Sequence, residues 1–399
     1  YNCKTLLHKV RNAVFQLPAH LCRLAAYFDN KDLALHKSPR VSWLEVSGGR
    51  LRGIKLVCRV AAHGDKRLVN TRKFRAHLPA QYLVNAQAPT LPYVFLQDNQ
   101  DEGLTGLDVR YTAGKNHRGD AYAQFHLPIQ GYEQPFIGVS LENVDAPVTR
   151  VSTQTLARAF SAASCSTMRR GSHKADNHNY QHVHVASAKN ALAIGALDGA
   201  NAFLWTLNCE LPIALPTYCI DAQDARELSM MLQVTAEYCN VQVLENTLYI
   251  TYTDPKYTLQ LQVPCMQLQT PSRVLQAPFL SKVDTSADAL ICEADATALA
   301  TVVKLAAQAN SFGTLFTESH SVRAVAKQFA TVHTQQVTVF QHRSRDVYFA
   351  YLAAVAHAFD LVRHLNMYAQ NGIVLLRGTH DVDGKQQRLY VTTREVDNG

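Results

Sequence analysis

The sequence has no CxxC pair, no apolar run reaching the ~18 residues needed to cross a bilayer, and no signal-peptide pattern at its start. These absences predict a cytoplasmic protein. Also missing are a P-loop, a G-x-S-x-G elbow, an H-E-x-x-H helix and a Rossmann fingerprint, so no catalytic residue is assigned and the chain is read as a non-enzyme. Asp198–Gly199 and Asp381–Asp383 carry carboxylates, but both have the composition of turns. His178, His182 and His184 lack a cysteine or carboxylate at ligand spacing, so neither metal nor cofactor is expected.

The nine cysteines are scattered and odd in number, most inside apolar runs, which predicts reduced and packed thiols. Of 399 residues, 47% are hydrophobic, enough for two to four domains with real cores. The formal charge of +7 points to a polyanionic partner without specifying it.

What the chain does contain is a repeat. The clearest copy runs from Tyr218 to Leu275: a strand at Tyr218–Ile220, an N-cap at Asp221, then a helix over Ala222–Leu232. Ala225, Leu228, Ser229 and Leu232 fall at i, i+3, i+4, i+7, and strands follow at 241–244, 248–252 and 259–263, the first two joined by a turn at Glu245–Asn246. Leu17–Pro18 opens a helix carrying Leu21, Leu24, Ala25 and Phe28, and Leu78–Pro79 opens a shorter one with Tyr82, Leu83 and Ala86. Ser152 caps a helix with Leu156, Ala159, Phe160 and Ala163; Asp295 caps one with Leu299, Val302, Val303 and Ala306. The last carries Leu352, Val355, Ala356 and Phe359. Strand-like alternation follows each helix, and helices begin roughly 55 to 75 residues apart, about half of a small α+β domain. Six units pair into three domains. The expected boundaries are a basic extension at 1–12, then domains at 13–145, 146–277 and 278–399, with Gln276–Ala289 as a linker.

Basic residues cluster in places. Lys4, Lys9 and Arg11 lie in the extension, which reads either as a frayed end or as an arm touching nucleic acid. Lys31, Lys37 and Arg40 follow the first helix, on a solvated face or a phosphate-contacting loop. Met168–Tyr180, with Arg169, Arg170, Lys174 and Tyr180, is the most basic loop; it can pair with phosphates and stack on bases, or stand as an inert exposed loop.

Three domains of two strand–helix–sheet units resemble the bacterial-type DNA sliding clamp, the beta subunit of DNA polymerase III, along essentially the whole chain from Ala13. Val14–Leu24 (VFQLPAHLCRL) is similar to that family's opening strand and helix, and Phe125–Phe136 (FHLPIQGYEQPF) to the end of its first domain. Ile194–Phe203 (IGALDGANAF) resembles its T-D-G-H-R-L-A segment with the His-Arg lost; Leu259–Leu275 resembles the stretch ending R-V-L-P; Tyr348–Phe359 resembles the F-N-x-x-Y-L-x-x-x-L helix.

The resemblance implies the α+β DNA clamp fold, with the chain forming half of a closed ring. A head-to-tail homodimer would line a hole for duplex DNA with twelve helices, associated with the nucleoid. Arg23, Arg158, Arg226 and Lys304 would meet phosphates there, without reading sequence. A DNA polymerase and a clamp loader would dock short peptides in a pocket that maps onto Gly199, Ala202, Phe203, Gln269, Val274, Tyr390 and Thr392. Ala202 stands where the family has leucine, Gln269 where it has proline, and Thr392–Thr393 where it has methionine-proline, so a weaker or different anchor is expected. The competing reading is a clamp-fold DNA-binding or scaffold protein that has lost or changed the tethering role.

Overall fold

The computed structural model describes eight strands between residues 15 and 128, and residues 143–395 except 169–177, 233–235, 255–256, 271, 278 and 327–329. The chain divides into two compact units: Tyr1–Val144 with Tyr249–Val263, and Asp145–Leu248 with Pro264–Gly399. The expected Leu17 helix, residues 80–92 and the Arg169–Lys174 segment lie outside the described residues. The Leu78–Pro79 pair, expected to open a helix, closes the strand Phe74–Pro79.

Within the first unit, Phe15–Gln16, Tyr93–Asn99, Gly103–Thr112 and Ala121–Pro128 form one antiparallel sheet. A second antiparallel ladder runs Phe74–Pro79, Asp32–Lys37, Val41–Val46, Lys55–Ala61 and Tyr257–Pro264.

In the second unit, four short strands each run directly into a helix. Thr149–Ser152 leads into α1 (Thr153–Cys165), and Thr217–Asp221 into α2 (Ala222–Met231). Cys292–Asp295 leads into α3 (Ala296–Ala309), and Arg343–Tyr348 into α4 (Phe349–Val355). Three of the last strand residues cap the helix they launch. Asp221 accepts from the Gln223 amide at 2.8 Å, Asp295 from Ala298 at 2.8 Å and Ser152 from Thr155 at 3.5 Å. Each cap satisfies an amide that the first helical turn leaves without an intrahelical partner.

The apolar stripes are buried as the spacing predicts. Leu156, Ala159, Phe160 and Ala163 on α1, and Leu299, Val302, Val303 and Ala306 on α3, are inside, as are Ala225, Leu228, Ser229 and Leu232 at α2. The last stripe differs in form. After Val355 the α-helix tightens into a 3₁₀ segment, Ala356–Leu361. Residues i and i+3 eclipse in a 3₁₀ helix, so Ala356 and Phe359 still reach the same core and both are fully buried.

The strand that launches one helix pairs with the first strand after the other helix of its pair. Thr217–Asp221, leading to α2, pairs with His182–Ala188, which follows α1; Thr149–Ser152, leading to α1, pairs with Tyr238–Leu244, which follows α2. The same exchange joins Cys292–Asp295 to His364–Gln370 and Arg343–Tyr348 to Phe312–Glu318. Two such pairs share one ten-stranded antiparallel sheet, joined where Ala202–Leu207 runs against Lys385–Arg394.

Ala202–Leu207 is buried at every position because both faces of the sheet are covered. Ala202 and Leu204 pack with Leu275, Ala277, Phe279 and Val283, so the expected linker lies against the sheet. The spacing of its apolar residues supplies the reason. Gly195 makes room for it: a Cβ there would lie 3.0 Å from Leu275 Cδ2 and 3.1 Å from the Phe203 carbonyl oxygen. Asp198–Gly199 is a turn, with Asp198 Oδ1 accepting from the amides of Ala200 and Asn201 and Gly199 at φ +92°. Asp383 and Gly384, both at positive φ, turn the hairpin between Ile373–Val382 and Lys385–Arg394.

The six described cysteines are all free. Burial pushes Cys239, Cys265 and Cys292 up to about 12 and Cys219 up to about 11. The thiolate is the reactive form, so these four are expected to resist maleimide at pH 8 while half-buried Cys165 reacts faster. Peptide mapping of alkylated native and guanidinium-unfolded protein checks this; modification of native Cys239 or Cys292 at the Cys165 rate would contradict the packing.

Candidate nucleic-acid interface

With the stripes turned to the sheets, the remaining helix faces carry cations. Arg158 on α1 is half-buried, whereas Arg226 on α2 and Lys304 on α3 are exposed. Helix α1 packs against α2, and both α1 and α3 pack on the 3₁₀ segment Ala356–Leu361. Two side chains of that segment organise the cluster. Asp360 Oδ2 lies 4.0 Å from Arg158 and its Oδ1 accepts from Thr297 Oγ1 at 3.1 Å. His357 is half-buried and feels both Arg158 and Lys304; burial first, then those two cations, hold its imidazole below the usual range, against opposing backbone hydrogen bonds. Arg226 acts on Cys165 at the other end of α1, where it favours the thiolate against the stronger effect of burial.

Of the sequence-predicted DNA contacts, Arg158 and Arg226 stand on helices that pack together, and Lys304 on α3, which meets α1 through the Ala356–Leu361 segment. His357 and Asp360 were missed by sequence reasoning. Their spacing on the last helical stretch, around the buried Phe359, was the available signal. Tyr180 is half-buried in the single turn His178–Gln181, and its carbonyl oxygen accepts from the Met168 amide at 2.7 Å, closing the base of the basic loop. Lys37 ends the strand Asp32–Lys37 opposite Ser42 and Phe74. Arg23, Lys31, Arg40, Arg169, Arg170 and Lys174 lie outside the described residues.

The residues matched to the peptide pocket divide by face. Ala202 stands opposite Thr392, and Leu204 opposite Tyr390, so Ala202, Tyr390 and Thr392 share the linker side of the sheet. All three are buried, Thr392 at 3% and Tyr390 at 4% exposure, and Val274 is buried as the linker begins. Phe203 pairs with Val391 and points to the opposite, helix-covered face, because strand side chains alternate. Gly199 and Gln269 are exposed.

Among the described residues no group of three or more histidine, cysteine, aspartate or glutamate side chains is placed to hold a metal ion. Buried His184 has its Nδ1 2.7 Å from Ser272 Oγ, which also accepts from the Leu275 amide. No described helix is long and apolar enough to cross a membrane.

No family model and no curated protein matches this chain. Solved structures do match it. The DNA polymerase III subunit beta from Pseudomonas aeruginosa is 14% identical, with a TM-score of 0.59 over 96% of this chain and 99% of that one. A DnaN sliding clamp from Pseudomonas aeruginosa bound to griselimycin is 13% identical, TM-score 0.62, over 96% and 99%. The DNA polymerase III subunit beta from Borrelia burgdorferi, in complex with a natural product, is 8% identical, TM-score 0.63, over 97% and 100%. Identities this low speak to the fold.

The depressed His357 has a consequence for stability. The unfolded chain takes up this proton near the ordinary imidazole value of about 6.5, and the folded chain only at lower pH. The contribution is thus complete above about 6.5 and lost as pH falls toward the folded value. Urea unfolding midpoints are expected to drop between pH 7 and 5.5, and to drop less in His357→Gln. An identical pH dependence in the variant would remove His357 from the account.

Proposed function

We propose, from a chain that carries the fold of the DNA polymerase III beta sliding clamps, that this protein encircles duplex DNA as a homodimeric ring and holds a DNA polymerase to its template. The observation that carries this reading is the set of cations on α1, α2 and α3, with Arg226 and Lys304 exposed and Arg158 half-buried, on helices joined by α1–α2 packing and by the Ala356–Leu361 segment. Point charges of this kind suit phosphates and carry no base readout. No bond is made or broken in such a role. A ring needs only to stay linked, because the tethered enzyme then remains at high effective concentration.

In this reading the repeats form three domains at 13–145, 146–277 and 278–399, two chains close the ring in the cytoplasm on nucleoid DNA, and a clamp loader opens it. Leu305 and Phe312 support a second copy. Both large apolar side chains are more than two-fifths exposed, and Phe312 stacks on Tyr348 at 4.8 Å, beside the edge strand Arg343–Tyr348. Exposed apolar groups next to an unpaired strand edge favour self-association. Polymerase and loader peptides would dock near Gly199, Gln269 and the rim above Ala202, Val274, Tyr390 and Thr392. Burial of these last four favours the second reading, a clamp-fold DNA-binding or scaffold protein with a changed tethering role, because little apolar surface is left there for an anchor.

Retention on nicked circular DNA, with release when the circle is cut, is the expected result for a linked ring. Sedimentation should give the mass of two chains. Release at the same rate from circles and linear DNA would exclude topological linkage. Changing Arg158, Arg226 and Lys304 to glutamine should leave the dimer mass intact. It should also flatten the slope of log affinity against log salt by roughly one for each phosphate no longer neutralised. An unchanged slope would move the DNA-binding surface elsewhere.

A further inference from the structure

At the 3₁₀ segment Ala356–Leu361, one carboxylate joins α1 to α3. Asp360 Oδ1 accepts from Thr297 Oγ1 of α3 at 3.1 Å, and Oδ2 faces the Arg158 guanidinium of α1 at 4.0 Å. Thr297 thus holds one oxygen and leaves the other to Arg158. Thr297, Thr301 and Lys304 fall at i, i+4, i+7 and are all exposed, so the open stripe of α3 runs from this contact to a second cation. His357, one turn before Asp360, feels both Arg158 and Lys304, which places the two cations around one imidazole.

The other carboxylates of these helices are engaged elsewhere. Asp295 caps α3 at the Ala298 amide, while Asp224 and Glu227 of α2 are buried, Glu227 Oε1 accepting from Gln223 Nε2 at 2.6 Å. Among the described residues, Asp360 is the carboxylate within ion-pair reach of Arg158. The pair is long and both side chains reach solvent, so little free energy holds it and a phosphate can take the place of the carboxylate.

We propose that Asp360 is a built-in competitor for Arg158, occupying the guanidinium between phosphate contacts and so keeping the hold on duplex DNA loose. The inference rests on the reading that these helix cations meet the duplex, and it names how that contact is regulated. Each step along the backbone exchanges one weak partner of Arg158 for another. When phosphate displaces the carboxylate, Asp360 takes up a counter-cation, which cancels one of the cations released from DNA.

The test measures affinity for a short labelled duplex over a range of salt, using full-length wild type, Asp360→Asn, Arg158→Gln and the double variant. Asparagine keeps an oxygen for Thr297 and removes only the charge; circular dichroism confirms that the variants fold. Asp360→Asn should bind about threefold more tightly at low salt, the size of one exposed ion pair. Its slope of log affinity against log salt should steepen by about one, because cation release is no longer offset. In the Arg158→Gln background the same substitution should lose most of both effects. Equal gains in the two backgrounds would reduce Asp360 to a part of the net charge and overturn the proposal. Wild-type protein without affinity for the duplex would overturn the reading it rests on and this one together. Wild-type affinity with Asp360→Asn unchanged would overturn this one alone.

Discussion

Each of α1 to α4 is launched by a strand that pairs with the strand following another of these helices. The rest of the architecture depends on this exchange. A lone strand–helix–meander unit would leave its launching strand unpaired and its helical stripe open to water. Burying one leucine or phenylalanine contributes about 1.5–3 kcal/mol, too little to order a segment whose residues each lose about 1–2 kcal/mol of backbone entropy. Two units that trade strands close both ladders and both stripes together. Folding of either is then tied to the other.

The same geometry sorts charge. Once a stripe is committed to a sheet, the opposite side of the helix is left for polar groups, and Arg158, Arg226 and Lys304 occupy it. Among the described residues their one ion pair is long and half-exposed: Arg158 and Asp360 are 4.0 Å apart with side chains 30% and 37% exposed. Pairs of that kind add little to stability, so the guanidinium remains available to an external anion. His357 marks how closely these charges stand, since its neutral form is favoured both by burial and by two separate cations.

Local order was legible in the residues; long-range pairing was not. The Ser152, Asp221 and Asp295 caps and four buried stripes follow from spacing alone, because capping and periodicity act within a few residues. Which strand meets which is decided across 30 to 40 residues or more, as with His182 and Asp221, and no local pattern encodes it. Phe203 shows the limit at the candidate site. A motif match grouped it with Ala202, yet alternation along a strand sends neighbours to opposite faces, and only the register against Val391 reveals the division. The packing of the linker was hidden for a related reason. Its short apolar spacing looks irregular in sequence and becomes meaningful once the Ala202–Leu204 face is there to receive it.

The joint between Ala202–Leu207 and Lys385–Arg394 has a mechanical meaning. Six consecutive residue pairs hold it in register, with side chains packed against both faces. Force along the strands, sliding one strand-exchanged pair past the other, loads all six pairs at once. This boundary therefore resists sliding, with packing on both faces to hold it.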